Sequence, residues 1–571
     1  MWFAENISWR QFRRSLGGFS AIVCKDASTV WAEDPYGKTI AQGEAGVDDA
    51  SVIQSALDLG GRVFLNGKFY IDCPISINNT NSILEGINGA TLIANMDSGT
   101  MLPLKAKYGA VRRLRFNGNS KNVGAIAVGD SASDCIVSEC EIFDCLGENI
   151  LSIHWSERCI VEKCYLRNLA TDKVVHAIYI AESKNCIVKS NIIVGNGCID
   201  ALGAANCYNN IISNNILLGD RGHGGIYIRE GAHHCIVNNN YVEGAGKLSG
   251  QQHGDIELRG YNCVVEGNIC KNSNGDGIQI FSYTSQENCY NNIVQNNVLA
   301  DNAEAGISVF RTSEQFSGKN TISGNSIKSC KYGILIEGDG LNKISGNLMI
   351  SLSEQGIYLK TSKNAVIANL FQDVPLAISV LSHQNNIIGN LIYSPTYGIS
   401  ISNGFSNCVA LNKIYSASDS AIKVDGENAE NNFVMSNFCA DSDYGIFLGS
   451  PTSNNHILYN FLIGNTTAIR GAGSNIIKNN IGYATENSGV ATFSGDGTTT
   501  DFEIGAHGLV TTDPSKIAVK ITPVSSDAIA ASPCVGYVDP SDNTKIRVKF
   551  SSAPASGSEN VKIVWYAEVV S

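Results

Sequence analysis

Residues 210–215 read NIISNN, and the same phrase returns on either side. It stands as CIVKSN at 186–191, CIVNNN at 235–240, CVVEGN at 263–268 and NIVQNN at 292–297. Towards the N-terminus come CIVEKC (159–164) and CIVSEC (135–140). Towards the C-terminus come NTISGN (320–325), NKISGN (342–347), NAVIAN (364–369), NNIIGN (385–390), NCVALN (407–412), NFVMSN (432–437), NHILYN (455–460) and NIIKNN (475–480). Between copies lies a second phrase, a small residue followed by alternating apolar positions: AIYI (177–180), GIYI (225–228), DIEL (255–258), GIQI (277–280), GISV (306–309), GILI (333–336), GIYL (356–359), GISI (398–401) and GIFL (445–448). Alternation of this kind builds short strands with one face inward. Short strands returning at a nearly fixed period describe one coil of a solenoid, each coil bonding to the next about 4.8 Å away. The expected fold is all-β: a single-stranded right-handed parallel β-helix of about fifteen coils.

The terminal Asn of the first phrase is expected to stack as an amide ladder and to take up the turn conformation there. Cys135, Cys159, Cys186, Cys235 and Cys263 share one column with Asn210 and Asn292. A column of small buried side chains explains them better than metal or redox chemistry, because no CxxC pair occurs and parallel Cβ vectors suit a disulfide poorly.

Composition narrows the function. The 571 residues carry a formal net charge of −12, and charged residues make up only 16%. An acidic chain is a poor partner for nucleic acid or anionic membrane. No apolar run is long enough for a transmembrane helix. The first residues, MWFAENISWRQFRRSLGGFS, hold arginines but no apolar core, so no secretory signal is expected. No metal site is read from the sequence, and no cofactor is required. A bound calcium ion has no motif to support it.

Three domains are expected: an N-terminal β-hairpin segment (1–45), the β-helix with its cap (46–485) and a small C-terminal β-sandwich (486–571). In VDDASVIQSALDLGGRVFLNGKFYIDCPISI (47–77), Asp48 or Asp49 can cap a helix with Val52, Ile53, Ala56 and Leu57 on one side, and Gly60–Gly61 can end it. Past the Gly/Ser/Thr-rich ATENSGVATFSGDGTTTD (484–501), alternating strands such as KIRVKF (545–550) and VKIVWYAEVV (561–570) follow.

The stretch 47–77, with its Asp-Asp, amphipathic helix, Gly-Gly, Val-Phe-Leu and Gly-x-Tyr, resembles the N-terminal signature of the pectate-lyase-like superfamily. With the repeats, the resemblance covers roughly residues 44–482. It implies a helix capping the open end of the β-helix. The whole resembles phage tailspike and polysaccharide depolymerase proteins. That implies a polysaccharide partner, a homotrimer, and a place on a virion tail, attached to a phage tail or cell surface, or otherwise outside the cell. GHGG (222–225) and CIDAL (198–202) are similar to motifs of polygalacturonases, but the rest of that motif set is absent and no roles follow from them.

Candidate chemistry comes from the columns. The residue before the first apolar position of the second phrase is Gly or Ala in almost every coil, but Asp255 in one. The outward column reads Ser152, Tyr179, Asp200, Tyr227, Glu257, Gln279, Ser308, and the next reads His154, Ala181, Leu202, Arg229, Arg259, Phe281, Phe310. His176, His223, Glu230, His253 and Asp276 lie beside them. Acids, arginines, histidines and aromatics thus converge on four coils. The longest repeats surround them, with extra residues in EGAGKLSGQQH (243–253) and SYTSQEN (282–288). Glycoside hydrolysis needs two carboxyls, one donating a proton and one acting as base or nucleophile. The expected catalytic residues are Asp255 and Glu257, followed by Asp200 and Asp276. Tyr227, Arg229, Arg259, His253, His223, Glu230 and Tyr179 are expected to bind substrate. A polysaccharide lyase or uronate epimerase, and a non-catalytic glycan-binding adhesin, are the competing readings.

Overall fold

The computed structural model describes residues 18–170, 175–203, 206–219, 223–246, 253–282, 289–311, 316–471, 473–511 and 513–570. The chain is a right-handed parallel β-helix with small C-terminal sheets. It divides into two compact units, 1–353 and 354–571.

In the first unit each coil contributes one strand to each of three parallel sheets. Ile211–Ser213 lies in sheet 1, Ile216–Leu218 in sheet 2 and Ile226–Ile228 in sheet 3. Their partners one coil on are Ile236–Asn238, Tyr241–Glu243 and Ile256–Leu258. Ile212, Leu217, Ile226 and Ile228 point inward and are wholly buried, as the alternation requires. Helix α1 (Asp49–Leu57) buries Val52, Ile53, Ala56 and Leu57. Its aspartates tie the preceding loop rather than capping the helix. Asp48 accepts from the Glu44 amide at 2.8 Å, and Asp49 from Gly46 at 2.9 Å and Tyr70 at 2.7 Å. Residues 21–44 form an antiparallel meander, and its first strand, Ala21–Lys25, also pairs in parallel with Arg62–Asn66.

In the first unit the amide ladder runs from coil to coil between Asn191 and Asn347. Asn240 donates through both its backbone amide and its Nδ2 to Oδ1 of Asn268, each at 3.0 Å, while Nδ2 also reaches the Ile212 carbonyl at 2.9 Å. Asn268 repeats this on Asn297. The ladder Asn is not the turn residue. The residue before it takes the left-handed conformation, as Asn239 (φ 54°) and Asn296 (φ 56°) do, with glycine in that place at Gly267 and Gly324. One position turns the chain, and the next is left free to point inward and bond.

The cysteine column belongs to the same corner. Cys186 and Cys263 donate their amides to Oδ1 of Asn210 and Asn292, each at 2.9 Å. All 18 cysteines are thiols; Cys73 alone is exposed, and Cys408 and Cys534 are half-buried. Burial pushes most of the interior thiols, such as Cys270 and Cys439, upward in pKa. Titration of the native protein with a thiol reagent is expected to find one fast group, Cys73, and the full set only after denaturation. A sharp fall in melting temperature on adding reductant would show that disulfides exist and that this account is wrong.

The second unit repeats the coil. Asn369 to Asn390 and Asn390 to Asn412 continue the same bonding pattern. Beyond the last coil, two three-stranded antiparallel sheets bury Val548, Phe550, Val561 and Ile563 between them. Among the described residues no helix is long and apolar enough to cross a membrane.

Candidate active site

Sheet 3 of the first unit aligns the outward column in register: Ser152, Tyr179, Asp200, Tyr227, Glu257, Gln279 and Ser308 pair each with the next. Neighbouring members are therefore about 4.8 Å apart along the backbone. The sequence suggests a solvated face. Instead, Asp200 and Glu257 are 0% exposed and Tyr227 only 2%.

Asp200 sits among cations and histidine. Its Oδ2 is 2.9 Å from Nε of Arg229 and 3.2 Å from Nε2 of His176, but neither contact is aligned as a hydrogen bond. Burial raises the Asp200 carboxyl to about 7 despite the pull of Arg229. His176 is held from behind, Nδ1 being 2.8 Å from Oδ1 of Asn149, and its ring stacks on Tyr179 at 4.8 Å. Burial, with Arg229 and His223 nearby, lowers His176 to about 4. A neutral imidazole beside a carboxyl that resists ionisation is how low polarity treats such a pair.

Glu257, two coils on, has a different setting. Oε1 is 2.8 Å from Nδ1 of His253, and Oε2 accepts from Nη2 of Arg259 at 3.2 Å. Arg259 also reaches Glu230 at 3.5 Å and lies 4.2 Å over the Phe281 ring, which stacks on Phe310. Tyr227 lies between the two carboxyls in the column. Its hydroxyl accepts from the Gly224 amide at 2.6 Å, and Arg229 covers its ring at 4.8 Å. Burial, then Glu257, pushes its phenol upward. His223 and His253 rings lie 4.9 Å apart. Arg229, His253, Arg259 and Glu230, between 15% and 31% exposed, form the accessible rim.

Two expectations change. Asp255 does not face outward beside Glu257. It is wholly buried and its Oδ1 accepts from the buried Ala245 amide at 3.2 Å. A Cβ at the equivalent Gly225 and Gly277 would meet the core side chains of Val242 and Leu299 at 2.2 and 3.1 Å. One coil later, the same corner amide, that of Ser273, is taken by Oδ1 of Asn302. The Ser273 hydroxyl is turned to the His253 carbonyl at 2.6 Å, and Asp255 supplies the acceptor instead. Asp255 therefore stands in its column as a buried acceptor for a corner amide. Asp276 does face the outer side, but it is saturated by the Ala305 amide (2.8 Å), Ser308 Oγ (2.5 Å) and Gln279 Nε2 (3.0 Å). Burial still raises it to about 6. Much of the two loops expected to wall the groove (247–252 and 283–288), and Gly222 of GHGG, fall outside the described residues.

Asp255→Ala is expected to lower stability by about 1–3 kcal/mol, the cost of stranding a buried amide. Activity per folded molecule should survive. A melt unchanged from wild type would contradict the corner role.

One family model agrees with the fold. The family description "Right handed beta helix region" matches residues 198–349, and "Periplasmic copper-binding protein (NosD)" matches 315–496. No curated protein matches the chain. Among solved structures, an alginate lyase from Paenibacillus sp. str. FPU-7 is 18% identical with a TM-score of 0.37, covering 51% of this chain and 96% of its own. The tailspike protein of E. coli bacteriophage HK620, in complex with a pentasaccharide, is 13% identical with a TM-score of 0.41, covering 94% and 92%. Likenesses at this level say nothing about activity. Among the described residues no three His, Cys, Asp or Glu side chains converge as a metal site. Within the matched stretch His383 and His456 stack on Phe405 and Phe433, and Cys330 and Cys439 are buried.

Proposed function

We propose that sheet 3 of the first unit is the cleavage groove of a polysaccharide-degrading protein that works by hydrolysis, with Asp200 as proton donor and Glu257 as base or nucleophile. One observation carries this reading. Two carboxyls on one column sit in different environments: Asp200 is wholly buried without an aligned hydrogen bond, and burial raises it to about 7, whereas Glu257 is engaged by Arg259 and His253. A carboxyl that holds its proton towards neutral pH suits the donor role. Two coils separate their backbones by about 9–10 Å, which suits the wider, inverting spacing better than the retaining one. The rim of Arg229, His253 and Arg259 must turn aside for a sugar to reach either carboxyl. Tyr227, His223, Glu230 and Tyr179 line the path. No cofactor is invoked.

A lyase would need arginines able to neutralise a uronate carboxylate. Here Arg259 is already paired with Glu257 and Glu230, which favours hydrolysis. The test is incubation with a panel of bacterial, archaeal and algal polysaccharides. New reducing ends without ultraviolet absorbance from an unsaturated product support the reading. Reducing ends with that absorbance indicate a lyase, and binding without cleavage an adhesin.

The active form is proposed to be a homotrimer, carried on a virion tail or otherwise outside the cell. Outward columns rich in exposed apolar side chains, such as Ile192, Ile216 and Val298 or Phe433 and Phe461, support association. Light scattering should return three chain masses; a monomer mass would refute it.

A further inference from the structure

Building on the glycan-cleaving reading, we propose that Trp155 is a sugar-stacking platform of this groove, taking the apolar C–H face of a ring in the glycan that runs across Asp200 and Glu257. Of the tryptophans among the described residues, Trp31 is half-buried and Trp565 is 8% exposed, whereas Trp155 is 64% exposed. An indole left in water on a regular scaffold is unusual, because its area normally goes into a core or an interface. Trp155 is not on a wandering loop. It directly follows the strand Asn149–His154, and its amide is bonded to the Ala181 carbonyl of the next coil at 3.1 Å. Its backbone stands in the left-handed region (φ 47°), which a bulky aromatic rarely adopts.

The indole also ends a continuous aromatic wall. His154 lies 5.9 Å from it, Tyr179 5.2 Å from His154, and His176 4.8 Å from Tyr179. His176 then meets Asp200 at 3.2 Å. The Trp155 coil is two coils before that of Asp200, about 10 Å by strand spacing. That places the platform a short run of sugar rings from the proposed proton donor. A pyranose offers a C–H face to an aromatic ring and hydroxyl edges to polar neighbours. A Trp with polar side chains beside it suits this shape.

The test uses the full chain with Glu257→Gln, so that a bound glycan is not cut. Native gels are cast with alginate, polygalacturonate, dextran or a bacterial capsular polysaccharide as the named probes. In each gel that retards Glu257→Gln, adding Trp155→Ala is expected to weaken the apparent affinity at least about tenfold. Trp155→Phe should recover part of the loss, and melting temperatures should match because the indole is exposed. Equal retardation of the single and double variants overturns the platform and leaves the groove reading standing. Retardation of Glu257→Gln by none of the gels overturns both.

Discussion

Replacing Glu257 by glutamine is expected to lower glycan cleavage by at least about 10²-fold, the smallest loss consistent with a general base, and by more if the residue is the nucleophile. The change keeps shape and leaves hydrogen bonds available to His253 and Arg259, and Arg259 retains Glu230. Folding should therefore survive, as judged by circular dichroism and melting. The informative comparison is with Asp255→Ala. That side chain is two residues away in sequence but on the inner side of the wall. It should change stability more than rate. Full activity in Glu257→Gln, on a polysaccharide that the wild type cleaves, would remove Glu257 from the chemistry. The groove would then have to lie elsewhere.

Asp200→Asn is expected to cost at least as much, and its effect should carry a pH signature. The wild-type rate should fall as pH rises through about 7, where the Asp200 proton is lost. The same group shapes stability. Its folded pKa is raised, so its contribution is full at low pH, below the unfolded value near 4. That contribution is lost as pH rises towards about 7. His176 works the other way. Its folded pKa is lowered to about 4, so its contribution is present above the unfolded value near 6.5 and lost as pH falls. The two slopes oppose each other across one window, and wild-type stability should be nearly flat there. Asp200→Asn removes one of them. Relative to wild type, the variant should gain about 4 kcal/mol between about pH 4 and 7, read by denaturant unfolding at each pH. Parallel stability curves would show that Asp200 ionises normally and is not the proton donor.

Periodicity alone determined the β-helix. Apolar and polar residues alternate at a repeat short enough to be one coil, and only stacked parallel strands can bury that pattern. Register followed from it, so the columns joining Tyr179, Asp200, Tyr227 and Glu257 were legible before any coordinates. The ladder asparagines were legible too, since a column of amides has few other uses. The side on which a residue stands at the end of a strand was not. Period-2 alternation holds only within the strand, and Asp255 occupies the corner, where the chain bends and a side chain can swing inward. Its partner, the Ala245 amide, lies ten residues earlier in a stretch with no motif. The burial of Asp200 and Glu257 was equally hidden. An outward residue on a repeat reads as solvated. Whether it is covered depends on the lengths and directions of nearby side chains: Arg229 of the next coil over Asp200, and His253 and Arg259 at the two ends of its own strand over Glu257. Trp155 went unread for the same reason, as one aromatic just beyond a strand. Only the fold continues it, through His154, to Tyr179 and the wall leading to Asp200.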